Sequence, residues 1–297
     1  KKQNPLIFSK LTFNQLLEFT EMRRFSIVIA TLLVMLFQGV AFAADKEEFP
    51  GRIDKKYKMV PYIELEDLRK QQKDVVIVDT RSKFEFDTLK IKGAVNVPVA
   101  LKTFDAEVQK LREKTGKTLV FYCNGHTCMK SYKAAKRAAK LGLKDVYAYD
   151  AGIFVWAKAY PDQAELLGKS PVDTRHILSK KQFKARLLHP DKFSEFATDD
   201  PSKVIVLDIR DKYQRAGVGF FPIQERWTSL NKMDKVYRYI RKAKEKGKTL
   251  FIYDEVGKQV RWLQYALEKE GIKNYYFMDK GATGYYKTIT KFERKKK

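Results

Sequence analysis

Cysteine and histidine are scarce in this 297-residue chain, with two of the first and three of the second. Two cysteines cannot make a disulfide framework. Both fall in one loop, as Cys123 and Cys128, where a bridge would close only a small ring and add little stability. His176 and His189 stand outside any metal-ligand spacing with them, so neither a metal site nor a cofactor is expected. Acidic residues are also short, 36 against 60 Lys and Arg, for a net charge of +24. No low-complexity or collagen-like bias is present, and 44% hydrophobic with 32% charged content is that of a soluble globular protein. A recognisable nucleic-acid module is absent as well, so nucleic acid is not expected as a partner. The basic excess suits small anions or an acidic partner. Much of it is simply the solvated side of helices. In 232–248, Met233, Val236, Tyr237 and Ile240 form a helical apolar stripe with Lys and Arg opposite.

The first residue is Lys, and a better beginning lies at Met22. Met22-Arg23-Arg24 precedes an apolar run, Phe25 to Phe37, and then Ala41-Phe42-Ala43. A charged start, a short apolar stretch and an A-x-A site predict a signal peptide over 22–43, with 1–21 as upstream sequence translated in error. The run is short for a membrane span, so no integral membrane contact is expected after cleavage, and the mature protein is placed in the periplasm or outside the cell. Removing 1–43 takes five basic and two acidic residues with it and leaves +21. Two domains fit the remaining length.

The chain says much of its piece twice. Val75-Val76-Ile77-Val78-Asp79-Thr80-Arg81 returns as Val204-Ile205-Val206-Leu207-Asp208-Ile209-Arg210, and Thr118-Leu119-Val120-Phe121-Tyr122-Cys123 as Thr249-Leu250-Phe251-Ile252-Tyr253-Asp254. Leu141-Gly142 is echoed by Glu270-Gly271, and Gly152 by Gly281. Such long-period self-similarity is domain duplication. Within the first copy, apolar strands at 75–79, 118–122 and 146–149 alternate with helices at 64–71, 103–114 and 131–141, which predicts an α/β fold with a parallel sheet and helices on both faces. The expected boundaries are 58–160 for the first domain, 161–178 for a Pro-marked linker, 179–290 for the second domain and 291–297 for a basic, irregular tail. The spacing between copies shortens by two residues across the loop after 122, so the first copy has the longer loop there.

That loop, Cys123-Asn124-Gly125-His126-Thr127-Cys128-Met129-Lys130-Ser131, ends a buried strand and opens a helix. Ligands of parallel sheets bind beyond the carboxyl ends of the strands. A thiol facing a helix N-terminus sits among N–H groups and a partial positive charge, which favours the thiolate and anions. Cys123 is therefore the expected nucleophile. Cys128 has three readings: a resolving thiol, a bystander, or the nucleophile itself. His126 either orients an anion, shuttles a proton or is solvated. Gly125 lets backbone approach a substrate, and Lys130 and Ser131 hold its charge. Asp79 and Arg81 read as support behind the loop. The second copy has Asp254 where the first has Cys123, so it is expected to do no sulfur chemistry.

Over 58–160 these residues resemble the rhodanese (thiosulfate sulfurtransferase) family. The likeness is carried by Asp79-Thr80-Arg81 with Phe84-Glu85-Phe86, by Ile91-Lys92-Gly93-Ala94-Val95-Asn96-Val97-Pro98, by Tyr122-Cys123 with Ser131 and Ala134-Ala135, and by Gly152 with Trp156. The resemblance implies two tandem rhodanese-like domains, each a mainly five-stranded parallel sheet, with an active first and a degenerate second copy. It implies a loop cysteine that takes a sulfane sulfur as a persulfide, from thiosulfate, polysulfide or a sulfur-carrier protein, and passes it to a thiol or cyanide. The family loop is C-x-x-G-x-R-S; this one is two residues longer and has Lys130 in place of Arg, with Lys90 in place of a usual His. Lys offers a point charge where Arg offers a planar fork. The other readings are a thiol–disulfide protein cycling Cys123 and Cys128, and a non-catalytic sulfur-binding or scaffold module. A phosphatase, which needs C-x5-R, is disfavoured by the missing Arg.

Overall fold

Two runs of alternating strand and helix each build a parallel sheet, as the duplication predicts. A computed structural model describes residues 49–296, with side chains to 290; the expected upstream segment 1–21 and signal 22–43 lie outside the described residues. The first lobe contains α1 (Pro50–Ile53), α2 (Leu65–Lys70), β1 (Val76–Asp79), α3 (Lys83–Thr88), β2 (Leu89–Ile91), β3 (Val95–Asn96), α4 (Phe104–Thr115), β4 (Leu119–Tyr122), α5 (Lys130–Lys140), β5 (Val146–Tyr149), α6 (Gly152–Ala159) and β6 (Ala164–Leu166). The second contains α7 (Lys180–Lys184), β7 (Leu187–Leu188), α8 (Pro190–Asp199), β8 (Val204–Asp208), α9 (Lys212–Arg215), β9 (Glu225–Trp227), α10 (Met233–Glu245), β10 (Thr249–Tyr253), α11 (Val260–Lys269), β11 (Tyr275–Met278) and α12 (Gly281–Lys296).

The first sheet runs β3-β1-β4-β5, all parallel. Its fifth place is taken by a single parallel bridge from Tyr62 to Ala148 rather than by a full strand. The second sheet, β7-β11-β10-β8-β9, has the same order with all five strands present. Asp79 pairs with Tyr122 and Asp208 with Tyr253, so the loops after β4 and β10 leave their sheets at equivalent heights.

Both faces of each sheet are covered, which is why β4 is buried along its whole length instead of alternating with water. Val120 and Tyr122 join Ile77, Tyr149 and Trp156 on one face; Leu119 and Phe121 join Val78, Phe104 and Ala138 on the other. Burying each Val, Ile, Leu or Phe among these contributes about 1.5–3 kcal/mol. Ala134, Ala135 and Ala138 are small enough to let α5 lie close on the sheet, and this seats its first turn, Lys130 and Ser131, beneath the loop.

Two expectations need correction. The linker expected over 161–178 is partly built into the first lobe, because β6 within it pairs antiparallel with β2 through Leu89–Leu166 and Ile91–Ala164. The last helix, Gly281–Lys296, also runs through most of the tail expected to be irregular. Lys, Arg and Glu are good helix formers, and a helix already packed at its start extends into them.

The two lobes share packed surface. Trp262 and Tyr265 of α11 are part of the apolar cluster beneath the first lobe's sheet. Trp262 stacks on Phe154 at 5.4 Å and 18°, and the Tyr265 hydroxyl accepts a hydrogen bond from the Leu178 N–H at 3.1 Å.

Candidate active site

Cys123 follows β4 directly and is fully buried. Its Sγ donates to the Cys128 carbonyl at 3.0 Å and lies 3.7 Å from Ser131 Oγ. Burial pushes the Cys123 thiol well up, and the neighbouring Cys128 adds to this; the Ser131 N–H and hydroxyl oppose them without prevailing. Cys128 is only partly covered. Its pKa is lowered to about 6, first by the Cys123 thiol as hydrogen-bond donor, then, against the cost of burial, by the N–H groups of Lys130 and Asn124 and the Lys130 charge. Burial thus works against a thiolate at Cys123, and the amides favour one at Cys128. The physical reason is that a strand-end position in a fully covered sheet removes Cys123 from water, while the two-residue extension brings a second sulfur to the amides.

The rest of the loop is tethered to its own lobe. Arg81 and Asp79 form a fully enclosed ion pair, Nε to Oδ1 at 2.9 Å, and Arg81 also donates to the Leu89 carbonyl at 2.6 Å. Asp79 lifts the Arg81 pKa against the lowering effect of burial. From this anchor Arg81 Nη1 reaches Asn124 Oδ1 at 3.2 Å, and Asn124 Nδ2 donates to Glu85 Oε1 at 3.1 Å. Lys130 Nζ stands 3.8 Å from Glu85 Oε2. Burial works against the Glu85 charge, yet Lys130, Arg81 and Asn124 outweigh it and hold this carboxyl low. The structure thus joins Asp79, Arg81, Asn124 and Lys130 through Glu85, to which the sequence analysis gave no role. Its signal was there: Ser82 and Glu85 make a reciprocal capping box at the start of α3.

Other predicted residues serve the loop's shape. The Gly125 carbonyl accepts the Cys128 N–H at 2.7 Å. Gly152 has φ of +73°, and a Cβ there would come within 2.4 Å of the Gly125 nitrogen. The bare backbone of Gly125 is thus pressed against the start of α6. Met129 packs on the core, Ser131 is buried beside Cys123, and Thr127 faces solvent.

The segment 49–53 lies over this loop, and no sequence signal announces it. The Phe49 ring is 4.6 Å from that of His126. Arg52 forks onto the buried Asp150 at 2.8 and 3.0 Å and onto Glu64 at 2.7 and 3.1 Å. These bonds, Asp150 foremost, raise its pKa. Tyr132 of α5 donates to the same Asp150 at 2.7 Å. Replacing Arg52 by Ala strands the buried Asp150 charge. The expected cost is about 2 kcal/mol, below the about 3–5 kcal/mol of a fully enclosed pair because Arg52 is partly solvated. Urea unfolding checks it, and an unchanged midpoint would show the strap to be ornamental.

In the second lobe the equivalent loop is closed by its own side chain. The buried Asp254 carboxylate accepts N–H bonds from Val256 at 2.9 Å and Val260 at 3.0 Å, and from Gly257 and Gln259. Burial pushes this carboxyl up while the amides pull it down. The other predicted pairing recurs here, Arg210 on Asp208, and Gly281 presses on Asp254 as Gly152 does on Gly125.

Residues 63–159 match the family model described as the rhodanese-like domain. Among curated relatives, the chain is 40% identical over 85 residues to a tRNA uridine(34) hydroxylase of Bordetella petrii, covering 28% of this chain and 33% of that protein. It is 32% identical over 92 residues to the HTH-type transcriptional regulator Rv0324 of Mycobacterium tuberculosis, covering 31% and 38%. The chain spans about a third of the length of the curated relatives it matches. Among solved structures, thiosulfate sulfurtransferase from Pseudomonas aeruginosa aligns at 18% identity over 78% of this chain and 45% of that one, with a TM-score of 0.30. The BH2092 protein from Bacillus halodurans aligns at 23% over 46% and 98%, with a TM-score of 0.33.

Proposed function

We propose, for a chain that belongs to the rhodanese family through residues 63–159, that it is an exported sulfurtransferase whose sulfane sulfur is carried on the Cys128/Cys123 pair, with Cys128 making the attack. The observation that carries this reading is the difference between the two sulfurs: Cys128 is partly exposed with its pKa lowered, whereas Cys123 is enclosed with its thiol bonded to the Cys128 carbonyl. With thiosulfate as donor, the Cys128 thiolate attacks the outer sulfur. A Cys128 S–S bond forms, the S–S bond of thiosulfate breaks, and sulfite leaves with the electron pair. An acceptor thiolate or cyanide then attacks the terminal sulfur, and the Cys128 thiolate is restored. Polysulfide or a protein persulfide would enter by the same displacement. Cys123 keeps its proton throughout, bonded to the Cys128 carbonyl. The apolar stretch and A-x-A site within 22–43 support export, and the +21 of the cleaved chain supports an anionic donor. The second lobe, its loop occupied by Asp254, carries no sulfur.

A second reading is favoured by the same pair of thiols, since a thiolate beside a protonated thiol also suits thiol–disulfide cycling. One experiment separates the two. The protein is exposed to thiosulfate or polysulfide, digested with trypsin, and the peptide 118–130 is fragmented. Transfer predicts an adduct of about 32 Da, one sulfur, assigned to Cys128. A peptide that only ever shows an internal disulfide gives the redox reading, and an unmodified peptide overturns both.

A further inference from the structure

Arg261 opens α11 in the second lobe, yet it faces the first. Its guanidinium lies 4.9 Å from the Phe154 ring, and Phe154 sits two residues beyond Gly152, whose backbone is pressed onto Asn124 and Gly125 of the cysteine loop. The neighbouring Trp262 stacks on the same Phe154 and lies 5.0 Å from the Arg81 guanidinium that grips Asn124. The start of α11 therefore stands against the two elements that hold the loop in place.

What sets Arg261 apart is its lack of a counter-ion. The other arginines that support these loops are matched by carboxylates: Arg81 by Asp79, Arg52 by Asp150 and Glu64, and Arg210 by Asp208. Arg261 forms no ion pair among the described residues, and its buried Nε has no hydrogen-bond partner. Burial lowers its pKa, and only the Tyr265 phenol works the other way. A half-buried cation without a counter-ion costs free energy unless something anionic answers it. The loop's own cation, Lys130, is turned to Glu85.

We propose that Arg261 is the residue by which the second lobe binds the anionic sulfur donor, a thiosulfate-type dianion, at the mouth of the first lobe's loop. A guanidinium presents a planar fork to two oxygens of one sulfonate-like group, as a lysine cannot. The lobe that has lost its thiol thus keeps a part in recognition. The proposal rests on the sulfur-transfer reading, and its test is built to fail separately from it.

Thiosulfate and a neutral donor, dimethyl trisulfide, are compared as substrates for the wild type, Arg261→Gln and Arg261→Lys. The expected result is a rise of about tenfold in the thiosulfate KM of Arg261→Gln, with kcat little changed, partial recovery in Arg261→Lys, and no change with the trisulfide. An unchanged thiosulfate KM in a wild type that turns over overturns the role of Arg261 and leaves the transferase standing. Equal losses with both donors also overturn it, since they would mark a structural effect. Should the wild type turn over neither donor, thiosulfate binding is titrated calorimetrically with both cysteines replaced by Ser. Binding that Arg261→Gln weakens supports the anion site without the transferase. Binding that it leaves unchanged, or none at all, overturns the site.

Discussion

Cys128→Ser is expected to lower sulfur loading from thiosulfate by at least about 100-fold, because it removes the sulfur that is partly exposed and whose pKa is lowered. Cys123→Ala should act differently. It deletes the leading cause of the depressed Cys128 pKa while leaving the attacking atom in place. If Cys128 then returns toward about 8.5, its thiolate fraction near neutral pH falls from about nine-tenths to about 3%, a loss of roughly 30-fold. The sign of the pH dependence follows directly. A thiol reacts above its pKa, so alkylation of wild-type Cys128 by iodoacetamide should rise through a midpoint at about 6 and stay level at higher pH. In Cys123→Ala the midpoint moves up and the lost rate is recovered in mildly alkaline buffer. Full loading in Cys128→Ser with none in Cys123→Ser would return the chemistry to the enclosed sulfur and end this assignment.

The second large effect is expected at Asp254. Four amides converge on its carboxylate within a covered site, and Asp254→Ala leaves all four without an acceptor. An unsatisfied buried donor costs about 1–3 kcal/mol. Some water enters the space left behind, so a net loss of about 3 kcal/mol is expected. The vacated loop is then a small anion site made of backbone. Millimolar sulfate should therefore raise the melting temperature of Asp254→Ala and leave the wild type unmoved, by the linkage between binding and stability. A variant that melts like the wild type and ignores sulfate would show that the amides never depended on the carboxylate.

These two loops also show where reading the sequence succeeds and where it stops. The alternation of strand and helix was legible because β-branched and aromatic runs such as 75–79 and 118–122 have few alternatives to a buried parallel strand. The repeat was legible because Asp79-Thr80-Arg81 and Asp208-Ile209-Arg210 survive in both copies, and each proves to be an ion pair beneath a loop. Which thiol ionises was not legible. That depends on the balance between burial and amide donors, and both are set by how far the longer loop folds back over the end of β4. Nor was Phe49, since its contact with His126 joins residues far apart in the chain. Arg261 carries no signal of its own in the sequence. Only the packing of α11 against the first lobe distinguishes it. The pairing of β6 with β2 escaped for another reason: prolines at 161 and 171 announce a break, and a three-residue strand between them leaves almost no periodic signal.

That short antiparallel pair has a mechanical meaning. With Leu166 fastened to one lobe and the Leu178 amide bonded to a tyrosine of the other, the polypeptide between them is a brief leash with both ends knotted. Opening and shutting of the two halves, in the manner of a jaw, is limited by the reach of that leash.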